Sequence, residues 1–422
     1  MVDVCVIGGG ISGIAAAKAL REENVSPHVF EKGSQPGGLW RYRNDNGLSG
    51  IYDALRLNTS KTLTAFSEFP MPAEYPDYPD HRQFVRYLDA VIERFGLLSS
   101  FRFRTEVRRV ASVGGRWQVD LTDGTSSRYD AVLVASGHHW KPLRPTFPGR
   151  FSGQILHSHD YRTSEGFEGK RVLVVGIGNS GVDIACDLSK VAAATILSTR
   201  RGAHLLPKHL LGRPIDLWGA GLVSYLPSRV QGWAIGALAR VARGSLSSYG
   251  LPEPAHRIDQ AHPTLSSELL GLLKQGRIRV RPDVQGLEDG LVSFKDGSKE
   301  AIDVIVTATG YDVSHPFLEG AGAEPDRLYR QVVSVDRPGL YFIGLVQPFQ
   351  GPVLGAAEIQ SRWIAGLIAG RWTLPDRARM EAAIDRQRSW RSASLVPTPR
   401  HGLEVDYHAY VRAIRREMTR RP

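Results

Sequence analysis

The stretch VDVCVIGGGISGIAAAKAL, Val2 to Leu20, decides the fold. Its apolar start predicts a short buried strand and its alanine-rich end predicts a helix. Between them, Gly8, Gly10 and Gly13 have the spacing G-x-G-x-x-G. Glycines at these positions allow a tight turn, a close approach of the backbone to a pyrophosphate, and close packing of the helix on its strand. The helix N-terminus then holds the phosphates, so the stretch predicts a dinucleotide-binding unit.

A second stretch repeats this pattern. KRVLVVGIGNSGVDIACDL, Lys170 to Leu188, places Gly176, Gly178 and Gly181 between a predicted strand and a predicted helix. One such motif is a weak signal, whereas two, each flanked by a strand and a helix, are a much stronger one. The alternative is that both are only glycine turns of a doubly wound sheet. We therefore predict an α/β protein with two Rossmann-like dinucleotide-binding domains.

The residues that follow each motif distinguish the two predicted sites. The strand SPHVFEKG ends in Glu31, at about the distance where an acid accepts hydrogen bonds from a ribose diol. The strand TILSTRRG instead ends in Arg200 and Arg201, and arginines pair with a 2'-phosphate that a carboxylate would repel. The alternative for the arginines is ordinary surface charge. The pattern favours NADPH at the second site and, since nicotinamide commonly reduces a flavin, FAD at the first.

Length and composition limit the class of protein. A chain of 422 residues that is 42% hydrophobic is long enough for two domains with cores of their own. No run approaches the roughly 18 apolar residues of a membrane-spanning helix. The first residues, MVDVCVIGGG, do not resemble a signal peptide, so we expect a cytoplasmic protein. Cys5 and Cys186 lie in apolar settings, which predicts buried free thiols.

The net charge of +10 raises the question of nucleic-acid binding. Much of the excess is arginine near the C-terminus, where acidic residues are interleaved, as in RARMEAAIDRQRSWR. This pattern is typical of solvated helix faces rather than of a nucleic-acid surface. Attraction for phosphorylated cofactors or anionic surfaces explains the sign better.

These residues do not identify the group that accepts electrons from the reduced flavin. A dithiol reductase is disfavoured because Cys5 and Cys186 lie far apart in the sequence, each beside a different glycine motif. Serine hydrolase chemistry is also disfavoured, since Ser12 and Ser180 lie in dinucleotide turns and not in a G-x-S-x-G elbow. The sequence does not choose among oxygen, a quinone and a protein as the final electron acceptor.

A resemblance narrows this choice. FSGQILHSHDY, Phe151 to Tyr161, fits F-x-G-x-x-x-H-x-x-x-Y, the identifying motif of the flavin-containing monooxygenases. Nearly the whole chain resembles that family, through EKGSQPGGLW, LRLNTSKTL, ASGHHWKP, LSTRRG, TATGY, FIGLVQP, AAEIQSRW and HGLEVDYHAYV. Related Baeyer–Villiger enzymes usually extend the motif with Trp and with Pro or Asp after the histidine, where this chain has Tyr161. That departure favours oxidation of amines and sulfides.

The resemblance implies an activity. NADPH would reduce FAD, NADP would stay bound, and oxygen would form a C4a-hydroperoxyflavin that transfers one oxygen atom to an amine nitrogen or a sulfur of a small molecule. The alternatives are Baeyer–Villiger oxygenation of ketones, an NADPH:acceptor flavin reductase, and a catalytically silent cofactor-binding sensor.

The resemblance also implies the site residues. Asn58 in LRLNTSK matches the family asparagine beside the flavin C4a position and bound NADP, and is the candidate catalytic residue; the alternative is that Asn58 and Thr59 form a turn or a helix cap. His157, with Tyr161, would lie near the cofactor in the interdomain connection, the alternative being a packed loop. No HExxH or CxxC motif accompanies HSHD, so we expect no metal.

The resemblance implies further cofactor contacts. Those for FAD are Gly8, Gly9, Gly10, Ile11, Ser12, Gly13, Glu31, Lys32, Leu39 and Trp40. Those for NADPH are Ser180, Gly181, Val182, Asp183, Arg200 and Arg201, and Thr59 and Val107 are contacts without an assigned cofactor.

The order of the motifs predicts an insertion. We expect the NADPH-binding domain, residues 153–302, to interrupt an FAD-binding domain made of residues 1–152 and 303–422, with TATGY closing a strand that returns to the FAD domain. A helical insert near residues 205–260 contains IDLWGAGLVSYL and VQGWAIGALARVARG. Such amphipathic segments suit a substrate channel, a second copy of the chain in a homodimer, or weak contact with a membrane surface.

Overall fold

Two sheets organise the chain, one for each glycine motif; the first is mixed and the second is parallel. The computed structural model describes residues 2–219, 228–320, 324–349, 351–396 and 402–421. The chain divides into two units. The first unit comprises Met1–Ser49, Thr59–His138 and Val313–Pro422, and the second unit comprises Gly50–Asn58 and His139–Asp312.

The main sheet of the first unit is built on the strand Val4–Ile7. This strand pairs in parallel with Pro27–Phe30 on one side and with Ala131–Val134 on the other. All four of its residues are buried, which is why VCVI is an uninterrupted apolar run. In spatial order the strands are Leu328–Tyr329, Val333–Ser334, Leu340–Phe342, Ala131–Val134, Val4–Ile7, Pro27–Phe30 and Phe101–Arg102.

Helices and smaller sheets complete the first unit. The alanine-rich helix Ile11–Glu22 packs against Val353–Ile368, because small side chains let two helices approach closely. The other helices described in this unit are Lys61–Thr64, His81–Arg94, Arg377–Ser394 and Tyr407–Glu417. Val107–Val113, Arg116–Leu121 and Ser126–Tyr129 form an antiparallel sheet, and Gln347–Phe349 pairs with Glu404–Asp406.

The sheet of the second unit is parallel throughout. In spatial order its strands are Gln154–His157, Val304–Thr307, Arg171–Val175, Ala194–Ser198 and Ile278–Arg281. The strand that ends in TATGY was expected to return to the first unit. It lies instead inside this second sheet, because the buried residues VIVT of Val304–Thr307 pair with strands on both sides.

The second unit starts earlier and ends later in the sequence than the predicted insertion. Lys141–Pro142 pairs antiparallel with Tyr311–Asp312, which ties the residues on both sides of the insertion to the second unit. The changeovers are therefore at 138/139 and 312/313, against the predicted 152/153 and 302/303. Both cysteines are buried and free, as expected.

The rest of the second unit includes the predicted insert. Its described helices are Asn179–Leu188, Ser228–Arg243 and Leu269–Lys274. One smaller sheet has the strand order Lys299–Ala301, Leu291–Phe294, Val284–Glu288 and Gly149–Arg150. Two further sheets pair Leu205–Leu206 with Thr264–Leu265 and His209–Leu210 with Arg213–Pro214. VQGWAIGALARVAR is helical, whereas the part of IDLWGAGLVSYL beyond Gly219 lies outside the described residues. Within the described ranges, no helix has the length and apolar character to cross a membrane.

Candidate cofactor and active site

The first glycine turn has one crowded side and one open side. Gly8 has φ of 103°, and a Cβ there would lie 2.7 Å from the Ala135 carbonyl oxygen. A Cβ at Gly13 would lie 1.8 Å from the carbonyl oxygen of Gly8. At Gly10 the nearest neighbour of such a Cβ would be the Gly38 Cα, at 3.7 Å. The turn thus combines close strand–helix packing with space beside the helix N-terminus, which fits a dinucleotide phosphate.

Glu31 is held beside this turn by hydrogen bonds. Its Oε2 accepts from the backbone N–H of Gly9 at 2.7 Å, and its Oε1 accepts from the N–H of Gly33 at 2.7 Å and from Asn46 Nδ2 at 3.2 Å. Each carboxylate oxygen has two lone pairs, so Oε2 keeps acceptor capacity. The carboxylate is therefore fixed at the place where a dinucleotide ribose is expected, although the contact itself stays a prediction.

Several other predicted FAD contacts have packing or ion-pair partners. Lys32 pairs with Glu106 at 3.0 Å, and Trp40 meets the Phe84 ring edge-on with centroids 4.7 Å apart. Val107 is buried in the hydrophobic core of the first unit. Near the turn, Ser12 is buried, whereas Ile11, Leu39 and Gly10 are partly exposed. Their contacts with FAD stay predictions.

The second glycine turn has the same construction. Gly176 has φ of 120°, and a Cβ there would lie 2.6 Å from the Ala308 carbonyl oxygen. A Cβ at Gly181 would lie 2.0 Å from the carbonyl oxygen of Gly176, whereas at Gly178 nothing lies within 4 Å. Among its neighbours, Val182 is fully buried and Ser180 is partly exposed. This turn also fits a dinucleotide phosphate.

The residues after Ala194–Ser198 leave two guanidinium groups exposed. The hydroxyl of Ser198 donates to the Pro282 carbonyl at 2.6 Å, and that of Thr199 donates to the Arg201 carbonyl at 2.6 Å. These bonds fix the backbone of the loop, while the side chains of Arg200 and Arg201 face solvent. The donor set suits a phosphate monoester, since guanidinium groups bind phosphate by charge-assisted hydrogen bonds.

Asn58 has an unsatisfied polar atom. Its Oδ1 is buried and has no hydrogen-bond partner among the described residues. A buried acceptor left without a donor costs about 1 to 3 kcal/mol, so a bound ligand with an N–H or O–H group would relieve it. Asn58 is not a helix cap, because the next helix, Lys61–Thr64, has Ser60 at its N-cap. The Thr59 hydroxyl is engaged with that of Thr64 at 2.7 Å.

The HSHDY segment is held by hydrogen bonds within itself and to the helix Asn179–Leu188. His157 is fully buried, its Nδ1 accepts from the N–H of His159 at 3.0 Å, and burial lowers its pKa to about 4. The Tyr161 hydroxyl donates to Asp187 at 2.6 Å. In the ranges that the structure describes, no three His, Cys, Asp or Glu side chains are grouped to hold a metal. His157 is thus a neutral, buried imidazole above about pH 4.

Sequence reasoning missed two residues, Tyr52 and Lys208, whose hydrogen bonds involve the segment that leads to Asn58. The Tyr52 hydroxyl donates to Asp183 Oδ2 at 2.9 Å, and Lys208 Nζ donates to the Leu57 carbonyl at 3.2 Å. Each bond joins residues more than 130 positions apart, so no local pattern could have indicated them. Asp183 itself was predicted only as an NADPH contact.

Comparison with known proteins shows the family to which the chain belongs. The family described as flavin-binding monooxygenase-like matches residues 2–422. Flavin-containing monooxygenase 5 of Homo sapiens is 35% identical over 96% of this chain and 80% of that protein. Flavin-containing monooxygenase 2 of Homo sapiens is 34% identical over 99% of this chain and 83% of that protein.

Solved structures share the fold. The S-allyl-L-cysteine S-oxygenase from Allium sativum has a TM-score of 0.74 at 24% identity, covering 99% of this chain and 89% of that one. A steroid monooxygenase bound to NADP has a TM-score of 0.77 at 18% identity, covering 98% of this chain and 97% of that one. At these identities the likeness concerns the fold alone. The full-length family match and the curated relatives go further: this chain belongs to the flavin-binding monooxygenase-like family, and it is an FAD- and NADPH-dependent monooxygenase.

Proposed function

We propose that this enzyme oxygenates a soft nucleophile, an amine nitrogen or a sulfur, in a small molecule. The balanced reaction takes substrate, O2, NADPH and a proton to the oxygenated substrate, water and NADP+. FAD, held at the first glycine turn, would supply the redox chemistry between NADPH and oxygen. The protein has to bind both dinucleotides, orient them and exclude water from the reacting atoms.

The observation that carries this proposal is the buried, unpartnered Oδ1 of Asn58. An amide side chain both donates and accepts hydrogen bonds, so it can bridge a flavin and a nicotinamide carboxamide. We assign Asn58 this role and regard it as the catalytic residue. Its position in LRLNTSK supports the assignment, since this segment resembles the family sequence around that asparagine.

We assign the two cofactors to different units. FAD belongs to the first glycine turn, with Glu31 on its ribose, and NADPH belongs to the second glycine turn. Arg200 and Arg201 bind the 2'-phosphate, because they are the exposed cations that follow the strand next to that turn. The remaining predicted contacts follow the same division. Thr59 and Val107 stay unassigned, and cytoplasmic location stays a prediction from the sequence.

The choice of nitrogen or sulfur over ketones rests on two supports. A relative from Rattus norvegicus that is 35% identical over 99% of this chain is named dimethylaniline monooxygenase, N-oxide-forming. Tyr161 also departs from the Baeyer–Villiger motif. Baeyer–Villiger oxygenation is the second candidate, since cyclohexanone monooxygenase has a TM-score of 0.74 at 18% identity.

The test is product formation from three model substrates. The purified FAD-bound enzyme is given NADPH, isotopically heavy O2, and in turn N,N-dimethylaniline, methyl phenyl sulfide and cyclohexanone. We expect an N-oxide or a sulfoxide that contains one heavy oxygen atom for each NADPH consumed. A lactone from cyclohexanone alone would favour the second candidate. NADPH consumption that yields only hydrogen peroxide with all three would contradict the proposal.

The insert helix Ser228–Arg243 supports a further contact surface. Trp233 is 76% exposed and Val241 is 85% exposed, and the exposed Arg240 lies near them. An exposed apolar strip of this kind is typical of an interaction surface. We propose that it makes either weak contact with an anionic membrane surface or a homodimer contact. Sedimentation with anionic vesicles, and ultracentrifugation without them, distinguish these uses when the enzyme is compared with Trp233→Ser.

A further inference from the structure

The segment Gly50–Asn58, here called the strap, belongs to the second unit although the chain on both sides of it belongs to the first. It starts in close contact with that unit, because a Cβ at Gly50 would lie 2.8 Å from the Tyr311 hydroxyl oxygen. The backbone N–H of Asp53 then donates to the Arg162 carbonyl at 2.7 Å. The strap is therefore bonded to the second unit from its first residues onward.

Two side-chain hydrogen bonds hold the rest of the strap. The buried Tyr52 donates through its hydroxyl to Asp183, which lies on the helix Asn179–Leu188 directly after the second glycine turn. Lys208 donates to the carbonyl oxygen of Leu57, the residue immediately before Asn58. The Tyr52 bond thus connects the strap to the helix that we assign to NADPH, and the Lys208 bond holds the residue before Asn58, all within one unit of the protein.

The charges in this network depend on each other. Burial raises the pKa of Asp183 to about 6, and Lys208 and the Tyr52 hydroxyl oppose that rise. Burial likewise lowers the pKa of Lys208, and Asp183 opposes that fall. Glu268 and Asp187 also face Asp183, and Arg56 faces Lys208. The cation and the anion thus each favour the charged form of the other, and breaking one hydrogen bond of the network would leave a partly buried polar group without its partner.

We propose that Tyr52, Asp183 and Lys208 are positioning residues that fix the Asn58 amide relative to the NADPH-binding helix. The proposal rests on the function proposed above for Asn58. It follows that Asn58 is carried by the NADPH-binding unit, so that binding of NADP at the second glycine turn and orientation of the Asn58 amide are coupled. Loss of the bonds should then misplace Asn58 while both glycine turns stay intact.

Two variants of the FAD-bound enzyme test this coupling. Tyr52→Phe removes the hydroxyl donor and keeps the ring, and Lys208→Met removes the donor to Leu57 and keeps the length of the side chain. We expect the share of NADPH electrons released as hydrogen peroxide to rise roughly three- to tenfold, the effect of losing one hydrogen bond. FAD content should stay near that of the wild type, because the first glycine turn is untouched. Lys208→Arg, which keeps a cationic donor, should restore much of the coupling.

A second measurement does not depend on turnover. Hydrogen exchange of the backbone amides in residues 50–58 is followed with and without NADP+. We expect NADP+ to slow exchange there in the wild type and to have a smaller effect in Tyr52→Phe and Lys208→Met. Tyr249→Phe is the matched control, since it removes a hydroxyl that donates to the Arg243 carbonyl at 2.8 Å in the same unit but off the strap.

The outcomes separate this proposal from the proposed function. If Tyr52→Phe and Lys208→Met keep wild-type coupling and a wild-type response to NADP+, the positioning role is wrong. It is also wrong if Tyr249→Phe or Lys208→Arg behaves like these two variants. If the wild type forms no oxygenated product with any substrate, the proposed function fails instead, and the exchange measurement still decides whether NADP+ and the strap are coupled.

Discussion

At the scale of single residues, the site depends on polar groups whose partners are incomplete or distant. Asn58 has a buried acceptor without a donor in the described chain, and Arg200 and Arg201 present donors to solvent. Glu31 is already fixed by two backbone N–H groups. The chain thus orients some groups in advance and leaves others ready for a ligand, which is the arrangement that lowers the ordering cost of cofactor binding.

The arginine pair should set the choice of nicotinamide cofactor. In Arg200→Ala/Arg201→Ala we expect kcat/KM for NADPH to fall by roughly ten- to a thousandfold while that for NADH changes little, because each charge-assisted bond to the 2'-phosphate contributes about 1.5 to 3 kcal/mol. Steady-state kinetics with both cofactors measure the change. Arg279→Ala is the control, since Arg279 is an exposed cation of the same unit paired with Glu300. An equal loss with NADH would contradict the assignment.

Asp183 should give the stability of the fold a distinct pH dependence. Its pKa is raised from 3.8 to about 6, so between those values the folded protein binds a proton that the unfolded chain has released. The stability that Asp183 contributes is therefore greatest below pH 3.8 and is lost as the pH rises through about 6. The stability of the wild type minus that of Asp183→Asn should fall across this range by on the order of 3 kcal/mol, since each pKa unit corresponds to about 1.4 kcal/mol.

Melting temperatures of both proteins between about pH 4.5 and pH 7.5 measure this difference. The buried His157 and His315, whose pKa values are lowered to about 4, add an opposite slope to both proteins and cancel in the subtraction. A difference that stays constant with pH would show that Asp183 does not titrate there.

At the scale of secondary-structure elements, local pattern and long-range pairing contribute differently. The stretches Val2–Leu20 and Lys170–Leu188 predicted both strand–turn–helix units, because apolar runs, glycines and helix formers lie side by side in the sequence. The position of Val304–Thr307 in the second sheet was not predicted, because it depends on partners about 130 to 150 residues away. The Tyr52–Asp183 bond was missed for the same reason, and with it the attachment of Asn58.

Substitutions at crowded Gly181 and at open Gly178 should have different effects, the first on stability and the second on NADPH binding. In Gly181→Ala the new Cβ would lie 2.0 Å from the Gly176 carbonyl oxygen, so the strand and the helix must move apart. We expect that variant to lose about 1 to 3 kcal/mol of stability, as overpacked interiors do. In Gly178→Ala the Cβ meets nothing within 4 Å and φ is −73°, so stability should be unchanged.

The same Gly178→Ala variant should still bind NADPH less tightly, because its methyl group occupies the open side of the turn where a phosphate approaches. Thermal unfolding and NADP+ titration of both variants provide the comparison. Tight NADP+ binding by Gly178→Ala would place the phosphate elsewhere.

At the scale of the whole molecule, the chain changes unit at 49/50, 58/59, 138/139 and 312/313. Only the last two changeovers have counterparts in the predicted insertion. The strap adds the other two, and nothing in its composition separates it from the residues on either side. No single continuous segment of the sequence therefore contains the whole NADPH-binding unit, including Asn58, without residues of the first unit.

The net charge of +10 also acts at this scale. A cationic protein attracts polyanionic NADPH at long range, and salt screens that attraction, since the Debye length falls from about 10 Å at 0.1 M to about 3 Å at 1 M. Raising the ionic strength from about 0.05 M to about 0.5 M should therefore slow NADPH association, and it should slow NADH association less because NADH lacks the 2'-phosphate. Stopped-flow flavin reduction below saturating cofactor measures both rates.

Arg200→Ala/Arg201→Ala separates this long-range attraction from the local contact. If the field of the whole chain steers NADPH, the double variant, whose net charge is still +8 because two positive charges are removed from +10, keeps most of the salt dependence of association while NADPH dissociates faster. If only the two arginines attract the cofactor, the salt dependence for NADPH falls to that for NADH. Equal salt dependence for NADPH and NADH in the wild type would contradict steering by charge altogether, and the excess of arginine would then serve some role other than cofactor capture.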